Sequence, residues 1–98
     1  MRTVYVCFPT VMDVKKFVEN ISPLEGNFDL IEGMYVIDAK SLMGIFAMNL
    51  SKPIKLRIEK DTEVAMRAIE SFIVEEVSDE TSDDSLSIRQ TAKLGRIL

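Results

Sequence analysis

Ser41 is the side chain in this sequence best placed to carry regulated chemistry. It precedes an almost uninterrupted apolar run, Leu42, Met43, Ile45 and Phe46. A serine before such a run is typical of a helix N-cap, and the free amides of a helix start attract a phosphoryl group. Because a short helix that is apolar all round cannot bury every side, we expect part of the run to remain exposed. The stretch therefore predicts a docking surface beside a serine whose charge can be changed.

Other reactive groups are few, and they exclude most small catalytic sites. The 98 residues contain no histidine, so the chain has no imidazole base, phosphohistidine or histidine-ligated metal. The single cysteine, Cys7, allows neither an internal disulfide nor a cysteine metal cage, and we interpret it as a small buried strand residue. The carboxylates Asp29, Asp38 and Glu59 lack a metal-ligand spacing. We predict no catalytic residue, no metal and no cofactor, and we do not expect an enzyme.

Charge and hydropathy limit the classes of partner. A net charge of −4 argues against nucleic-acid binding, which needs clustered lysine and arginine. Four basic residues follow one another closely, but they are typical of a solvated strand face: Lys52, Lys55, Arg57 and Lys60. No stretch is long and apolar enough to cross a membrane, and the first residues alternate like a strand rather than a secretory signal. We expect a cytoplasmic chain with neither nucleic-acid nor membrane partners.

Hydrophobic periodicity predicts a sheet covered by helices. Alternating apolar residues predict strands over residues 3–8, 28–31, 34–37 and 54–58. Helical spacing predicts one helix from Thr10 to Ser22, a second from Ser41 to about Asn49, and a third from Asp61 or Thr62 to about Glu76, with a stripe that includes Val64. The order βαββαβα predicts an α+β layer with one face of the sheet covered.

The composition changes at residue 78, which divides the chain in two. Residues 1–77 form the predicted domain. Residues 78–85 (SDETSDDS) cannot bury apolar area and are predicted to be a solvated acidic linker. Residues 86–98 are basic and partly apolar, without a clear helical or strand pattern. They are interpreted either as a frayed terminus or as a short segment that docks on the acidic domain or on a partner.

The segment KSLMGI, residues 40–45, followed by Ser51-Lys52 and a terminal strand, resembles a known family. It is similar to the segment around the regulatory serine of HPr, the histidine-containing phosphocarrier of the bacterial sugar phosphotransferase system. The similarity runs without gaps from about residue 8 to residue 58, and the order of elements extends it to residue 77. The resemblance implies an HPr-like open-faced β-sandwich, in which a four-stranded antiparallel sheet is covered on one face by three helices.

The resemblance also implies which site residues are lost. It places Thr10 at the position of the phosphate-carrying histidine, Met12 at that of an arginine and Asp13 at that of a proline. A threonine hydroxyl cannot replace histidine in reversible phosphoryl transfer, and Asp13 would repel a phosphoryl donor. We expect this degenerate phosphocarrier position to serve only as a helix cap.

The surroundings of the regulatory serine are retained. By the resemblance, Ser41 is the phosphorylation site, Leu42, Met43 and Phe46 face a partner, and Ile45 points inward. We predict that Lys40 belongs to the same partner-binding surface, and that a phosphoryl group on Ser41 is within its reach. Capping alone also explains a serine at this position, because serine is a favoured N-cap of any helix.

Three functions remain open at this point. The first is a bacterial regulatory domain that an HPr kinase/phosphorylase modifies at Ser41 and that then binds a transcriptional regulator. The second is a constitutive scaffold or homo-oligomerisation module that uses Leu42, Met43, Phe46 and the tail. The third is a small-ligand-binding α+β domain, against which the lack of a glycine-rich loop or convergent polar cluster argues.

Overall fold

The computed structural model describes residues 1–76, which form an α+β fold with five strands and three α-helices. The elements are β1 (Arg2–Val6), α1 (Val11–Ile21), β2 (Phe28–Glu32), β3 (Tyr35–Asp38), α2 (Leu42–Phe46), β4 (Ile54–Ile58), α3 (Glu63–Ile69), a 3-10 turn (Glu70–Phe72) and β5 (Ile73–Glu76). All pairings are antiparallel, and the strand order is β3-β2-β4-β1-β5. The sheet is therefore open, with β3 and β5 at its edges. Within residues 1–76, no helix has both the length and the apolar character needed to span a membrane.

The core lies on one face of the sheet, as the alternation predicts. Its strand residues are Val4, Val6, Phe28, Leu30, Ile54, Leu56 and Ile58, and its helix residues include Val14, Phe17, Ile21, Ile45, Ala65 and Ile69. Burying a side chain of this size contributes roughly 1.5–3 kcal/mol. Phe17 also packs edge-on against Phe8 and Phe72, with ring centroids 4.9 and 5.4 Å apart. These contacts hold α1 on the sheet and anchor the turn after α3.

The opposite face of the sheet is polar and half-buried. Lys55 and Arg57 share this face, as predicted for a solvated strand surface. Arg57 donates to Asp29 on the neighbouring strand β2, with an Nη2 to Oδ2 distance of 3.2 Å. Asp29, one of the three carboxylates that were considered as metal ligands from the sequence, is thus paired with an arginine. Cys7 is a free thiol and is half-buried rather than fully buried.

The predicted four-stranded sheet is wrong, because the last helix is shorter than its periodicity indicates. Helix α3 ends at Ile69, and the chain passes through a 3-10 turn into strand β5 instead of continuing as a helix to about Glu76. Ile73 and Val74 are β-branched, and such side chains favour strands. Val64, placed in the buried stripe of the predicted helix, is 62% exposed.

Strand β5 forms because strand β1 offers a free edge. The N–H of Cys7 donates to the carbonyl of Phe72 at 3.0 Å, and Val4 pairs with Glu76 further along. Two other predicted ends also shift: β1 stops at Val6 rather than at Phe8, and α2 stops at Phe46 rather than near Asn49. Residues 77–98, including the predicted linker and tail, lie outside the described part of the chain.

Helix α2 lies close to strand β3 because Gly44 has no side chain. A Cβ atom at Gly44 would lie 2.8 Å from Cγ2 of Ile37 and 3.1 Å from Oγ of Ser41. Ile37 is β-branched and stiff at χ1, so its Cγ2 cannot move away easily. Gly44 therefore fixes the position of α2 over the β2–β3 hairpin, and with it the position of Ser41.

We predict that Gly44→Ala lowers the free energy of unfolding by about 1–3 kcal/mol, because the new methyl group overpacks the contact with Ile37. The better helix propensity of alanine, worth about 1 kcal/mol, does not offset this clash. In an Ile37→Ala background the same substitution should be neutral or slightly stabilising. Urea unfolding of the four proteins of this cycle measures the coupling. Equal effects of Gly44→Ala in both backgrounds would contradict the contact.

The loop before α3 is tied to the first strand through Asp61. Its Oδ2 accepts from Nε of Arg2 at 3.4 Å. A hydrogen bond from its own backbone amide, followed by the one from Arg2, holds the pKa of Asp61 below its ordinary value. The ionised form is thus favoured in the folded protein.

We expect Asp61→Asn to reduce stability near neutral pH and to lose its effect in acid. A carboxyl group whose pKa is lower in the folded state stabilises the fold above its unfolded pKa, and this contribution disappears as the pH falls through the folded value. Denaturant unfolding of wild type and variant at about pH 7 and at about pH 2 measures the difference. It should shrink in acid, and also in an Arg2→Gln background. A difference that does not change with pH would contradict this assignment.

Candidate functional site

Ser41 is the N-cap of helix α2, as predicted. Its backbone is extended, with φ −96° and ψ 101°, and its Oγ accepts from the N–H of Gly44 at 3.1 Å. Its own N–H donates to the carbonyl of Asp38 at 2.9 Å. The side chain is half-buried, so the hydroxyl stays at the surface of the domain. The role of Ser41 as a phosphorylation site remains a prediction.

The capping hydroxyl of Ser41 differs from that of Thr10 in one respect. At the start of α1, Oδ2 of Asp13 accepts from both the N–H and the Oγ1–H of Thr10, at 3.0 and 2.7 Å. Oγ1 of Thr10 in turn accepts from the N–H of Asp13, so the capping box is closed. In α2 the equivalent third position is Gly44, which has no carboxylate. The oxygen of Ser41 accepts a bond, and its proton is not held by a capping carboxylate.

The predicted role of Thr10 as a helix cap is confirmed. The carboxylate of Asp13 occupies the space next to the threonine hydroxyl, where a phosphoryl group would have to bind. Met12, which the resemblance places at the position of an arginine, is 61% exposed. Thr10 and Asp13 hold the start of α1, and none of the three residues carries a positive charge.

The exposed apolar part of α2 consists of Met43 and Phe46, which we call the α2 patch. Their side chains are 78% and 40% exposed. Ile45 is fully buried and points inward, as expected. Leu42 packs partly against the core and offers less surface than the resemblance implies. The structure thus places an exposed thioether and part of an aromatic ring within five residues of the Ser41 hydroxyl.

Lys40 is committed to other contacts in this structure. Its Nζ donates to the carbonyl of Leu24 and lies 5.6 Å from the centroid of the Phe28 ring. Its backbone N–H donates to Oδ1 of Asp38 at 2.9 Å. The Lys40 side chain therefore links the turn between β3 and α2 to the loop after α1. A contact between Lys40 and a phosphoryl group on Ser41 would require the lysine to leave this carbonyl.

A shallow depression that the sequence did not reveal lies at one end of the open face. Its volume is about 340 Å³, and its lining includes Tyr5, Glu32, Lys52 and Lys55. Within residues 1–76 no polar or charged side chain is fully buried, and no group of three or more potential metal ligands occurs. The depression therefore has no buried polar anchor of the kind that fixes a small ligand.

We predict that Ser41→Ala lowers the free energy of unfolding by about 1 kcal/mol, because the N–H of Gly44 loses its acceptor. Ser41→Asn should keep most of the stability, because asparagine caps helices as well as serine does. Urea unfolding curves of the three proteins measure this difference. An alanine variant as stable as wild type would show that the hydroxyl does not cap the helix.

Comparison of the chain with protein-family models, with curated protein sequences and with solved structures finds no match. The similarity to HPr therefore rests on the residues themselves, chiefly the segment from Lys40 to Ile45. In the structure, the capping residue Ser41 lies directly before the exposed α2 patch.

Proposed function

We propose that this chain is an HPr-like regulatory domain that binds a protein partner and does not transfer phosphate through histidine. An HPr kinase/phosphorylase modifies Ser41, and the modified form binds a transcriptional regulator in the bacterial cytoplasm. In this proposal β1 to β4 and the three helices correspond to the HPr-like fold, and β5 is an additional edge strand. The observation that supports the proposal best is the N-cap position of Ser41 directly before the exposed α2 patch.

Phosphorylation of Ser41 acts as a switch in this proposal because the serine lies next to the α2 patch. A phosphoryl group adds roughly two negative charges beside Met43 and Phe46, which changes an apolar surface into a mixed one. A partner that fits one form is then disfavoured by the other, through loss of apolar contact or through desolvation of the phosphate. The domain needs no large conformational change to alter its choice of partner.

Two residues near Ser41 shape the response to the added charge. Asp38, whose carbonyl accepts from the Ser41 N–H, carries a carboxylate in the same turn and opposes a second anion. Lys40 binds a neutral carbonyl, and a phosphoryl dianion is the stronger acceptor because charge-assisted hydrogen bonds are roughly twice as strong. We infer that phosphorylation draws Lys40 away from Leu24 towards Ser41.

The missing relay fits the same proposal. The chain has no histidine, and Thr10 is enclosed in a capping box with Asp13. An acidic residue beside the former transfer position disfavours a phosphoryl donor. Regulation by a serine at the second helix does not depend on that position.

A constitutive scaffold or oligomerisation module is the second candidate. It is favoured by edge strand β3, where Tyr35 and Val36 are 74% and 56% exposed. Large apolar residues on an unpaired strand edge are typical of contact surfaces.

Incubation of the full chain with an HPr kinase/phosphorylase and ATP, followed by intact-mass measurement, tests the switch. We expect wild type to gain the mass of one phosphoryl group and Ser41→Ala to gain none. Ser51→Ala is the matched control, because Ser51 is an exposed serine in the loop after α2 and caps no helix. It should be modified like wild type.

Ser41→Asn separates modification from capping, because it keeps the helix cap without offering a hydroxyl. It should remain folded and unmodified. Wild type that gains no mass, or Ser41→Ala that gains as much as wild type, would remove Ser41 as the switch.

A further inference from the structure

The two edges of the sheet differ in chemistry. The β5 edge is charged: Glu75 and Glu76 end the strand, and Nη1 of Arg2 lies 3.5 Å from Oε1 of Glu76. The β3 edge is apolar, with Met34, Tyr35 and Val36 94%, 74% and 56% exposed. Charged residues protect a strand edge from pairing with another chain, whereas apolar residues leave it open to such pairing. Apart from the exposed Asp38 at its end, the β3 edge lacks this protection.

We propose that β3 pairs with β3 of a second copy of this chain, so that one antiparallel sheet runs through a twofold-symmetric dimer. This dimer does not require modification of Ser41, although it shares Met43 of the α2 patch with the partner surface of the proposed function. A second copy is the occupant that the edge itself favours, because an antiparallel strand can pair with itself across a twofold axis.

The backbone of β3 shows which of its groups point towards a partner. Tyr35 pairs with Glu32 across a two-residue turn that contains Gly33 with φ 61°, and the N–H of Ala39 donates to the carbonyl of Phe28 at 2.7 Å. Because the direction of backbone groups alternates along a strand, Tyr35, Ile37 and Ala39 bond towards β2. The N–H and C=O of Val36 therefore point away from the sheet, and no group within residues 1–76 bonds to them.

In a continuous antiparallel sheet, residues that lie directly opposite each other have their side chains on the same face. A twofold axis between two β3 strands meets this condition only when it passes beside a residue, which then lies opposite the same residue of the partner. With the axis at Val36, both of its outward groups bond to the partner's Val36, and Tyr35 lies opposite the partner's Ile37. Asp38 then faces the partner's Met34. This register brings no two like charges directly opposite each other, which would destabilise the pairing.

The α2 patch extends the same surface. Tyr35 and Ile37 lie on the helix-covered face, and α2 rests on Ile37 through Gly44. Joining the β3 edges therefore brings the two α2 helices, each with an exposed Met43, towards each other. The exposed parts of Met34, Tyr35, Val36 and Met43 amount to roughly 600 Å² in each copy, so a dimer through these side chains buries at most about 1,200 Å², the lower end of stable specific interfaces.

Sedimentation velocity of the full chain from roughly 5 to 500 μM tests the proposal, a range that spans the affinities expected of such an interface. Wild type should shift from monomer to dimer. Val36→Lys sets two lysines directly opposite each other across the axis and should weaken the dimer at least about tenfold. Val74→Lys is the matched control, because Val74 is a valine on the other edge with 55% exposure. It should dimerise like wild type.

A charge swap tests the register itself. Val36→Glu alone should also be monomeric, but an equimolar mixture with Val36→Lys should form heterodimers, because each lysine then faces a glutamate. Circular dichroism and thermal unfolding verify that each variant is folded. Both Val36 variants should still be modified at Ser41, so failure of the dimer and failure of the switch can be told apart.

Hydrogen exchange at Val36 identifies the occupant of the edge. Its amide should exchange rapidly in dilute solution and more slowly as the dimer forms. Wild type that stays monomeric over the whole range, or Val36→Lys that dimerises like wild type, would overturn the proposal. If this amide exchanges slowly at every concentration while the protein stays monomeric, another segment of the same chain occupies the β3 edge. That result would also overturn the proposed dimer.

Discussion

The fold depends on the pairing of β4 with both β1 and β2. Ile54, Leu56 and Ile58 alternate along this strand, and all three are buried on the side that the helices cover. A shift of the pairing by one residue would turn these side chains to the open face and bring Lys55 and Arg57 into the core. Because β4 lies at the centre of the sheet, its register fixes the covered face of the neighbouring strands. The α2 helix, and therefore Ser41, takes its position from this arrangement.

Residue patterns predicted the elements whose partners are local or strongly alternating. β4 was predicted within its observed bounds, and the caps at Thr10, Ser41 and Thr62 depend on residues only three positions away. β5 was missed because helical spacing continues through Phe72 into Ile73, while its pairing depends on β1 at the other end of the chain. Local periodicity carries no information about a free strand edge that lies so far away in the sequence.

The candidate site was predictable in position but not in detail. A serine before an apolar run indicates a cap, yet the direction of Lys40 depends on the carbonyl of Leu24, 16 residues earlier. The exposure of Leu42 was likewise overestimated, because a short helix leans on its neighbours in a way that the sequence does not specify. The outward backbone groups of Val36 become visible only when the register of the hairpin is known.

The first turns of α1 and α2 show that the hydroxyl of a capping residue can either bond to a carboxylate or be left without one. Thr10 shares its hydroxyl with the carboxylate of Asp13, whereas Ser41 faces Gly44 and keeps its proton outside a capping box. The glycine also brings α2 close to Ile37. One small residue thus sets both the depth of the helix and the chemistry of its cap.

The placement of β5 also determines where other groups can be attached. Residue 76 lies on the edge opposite β3, four strand spacings or roughly 19 Å away across the sheet. A fluorophore or an affinity tag joined there would leave both the hairpin tip and Ser41 unobstructed. The end of β5 and the β3 hairpin thus lie at opposite edges of the sheet.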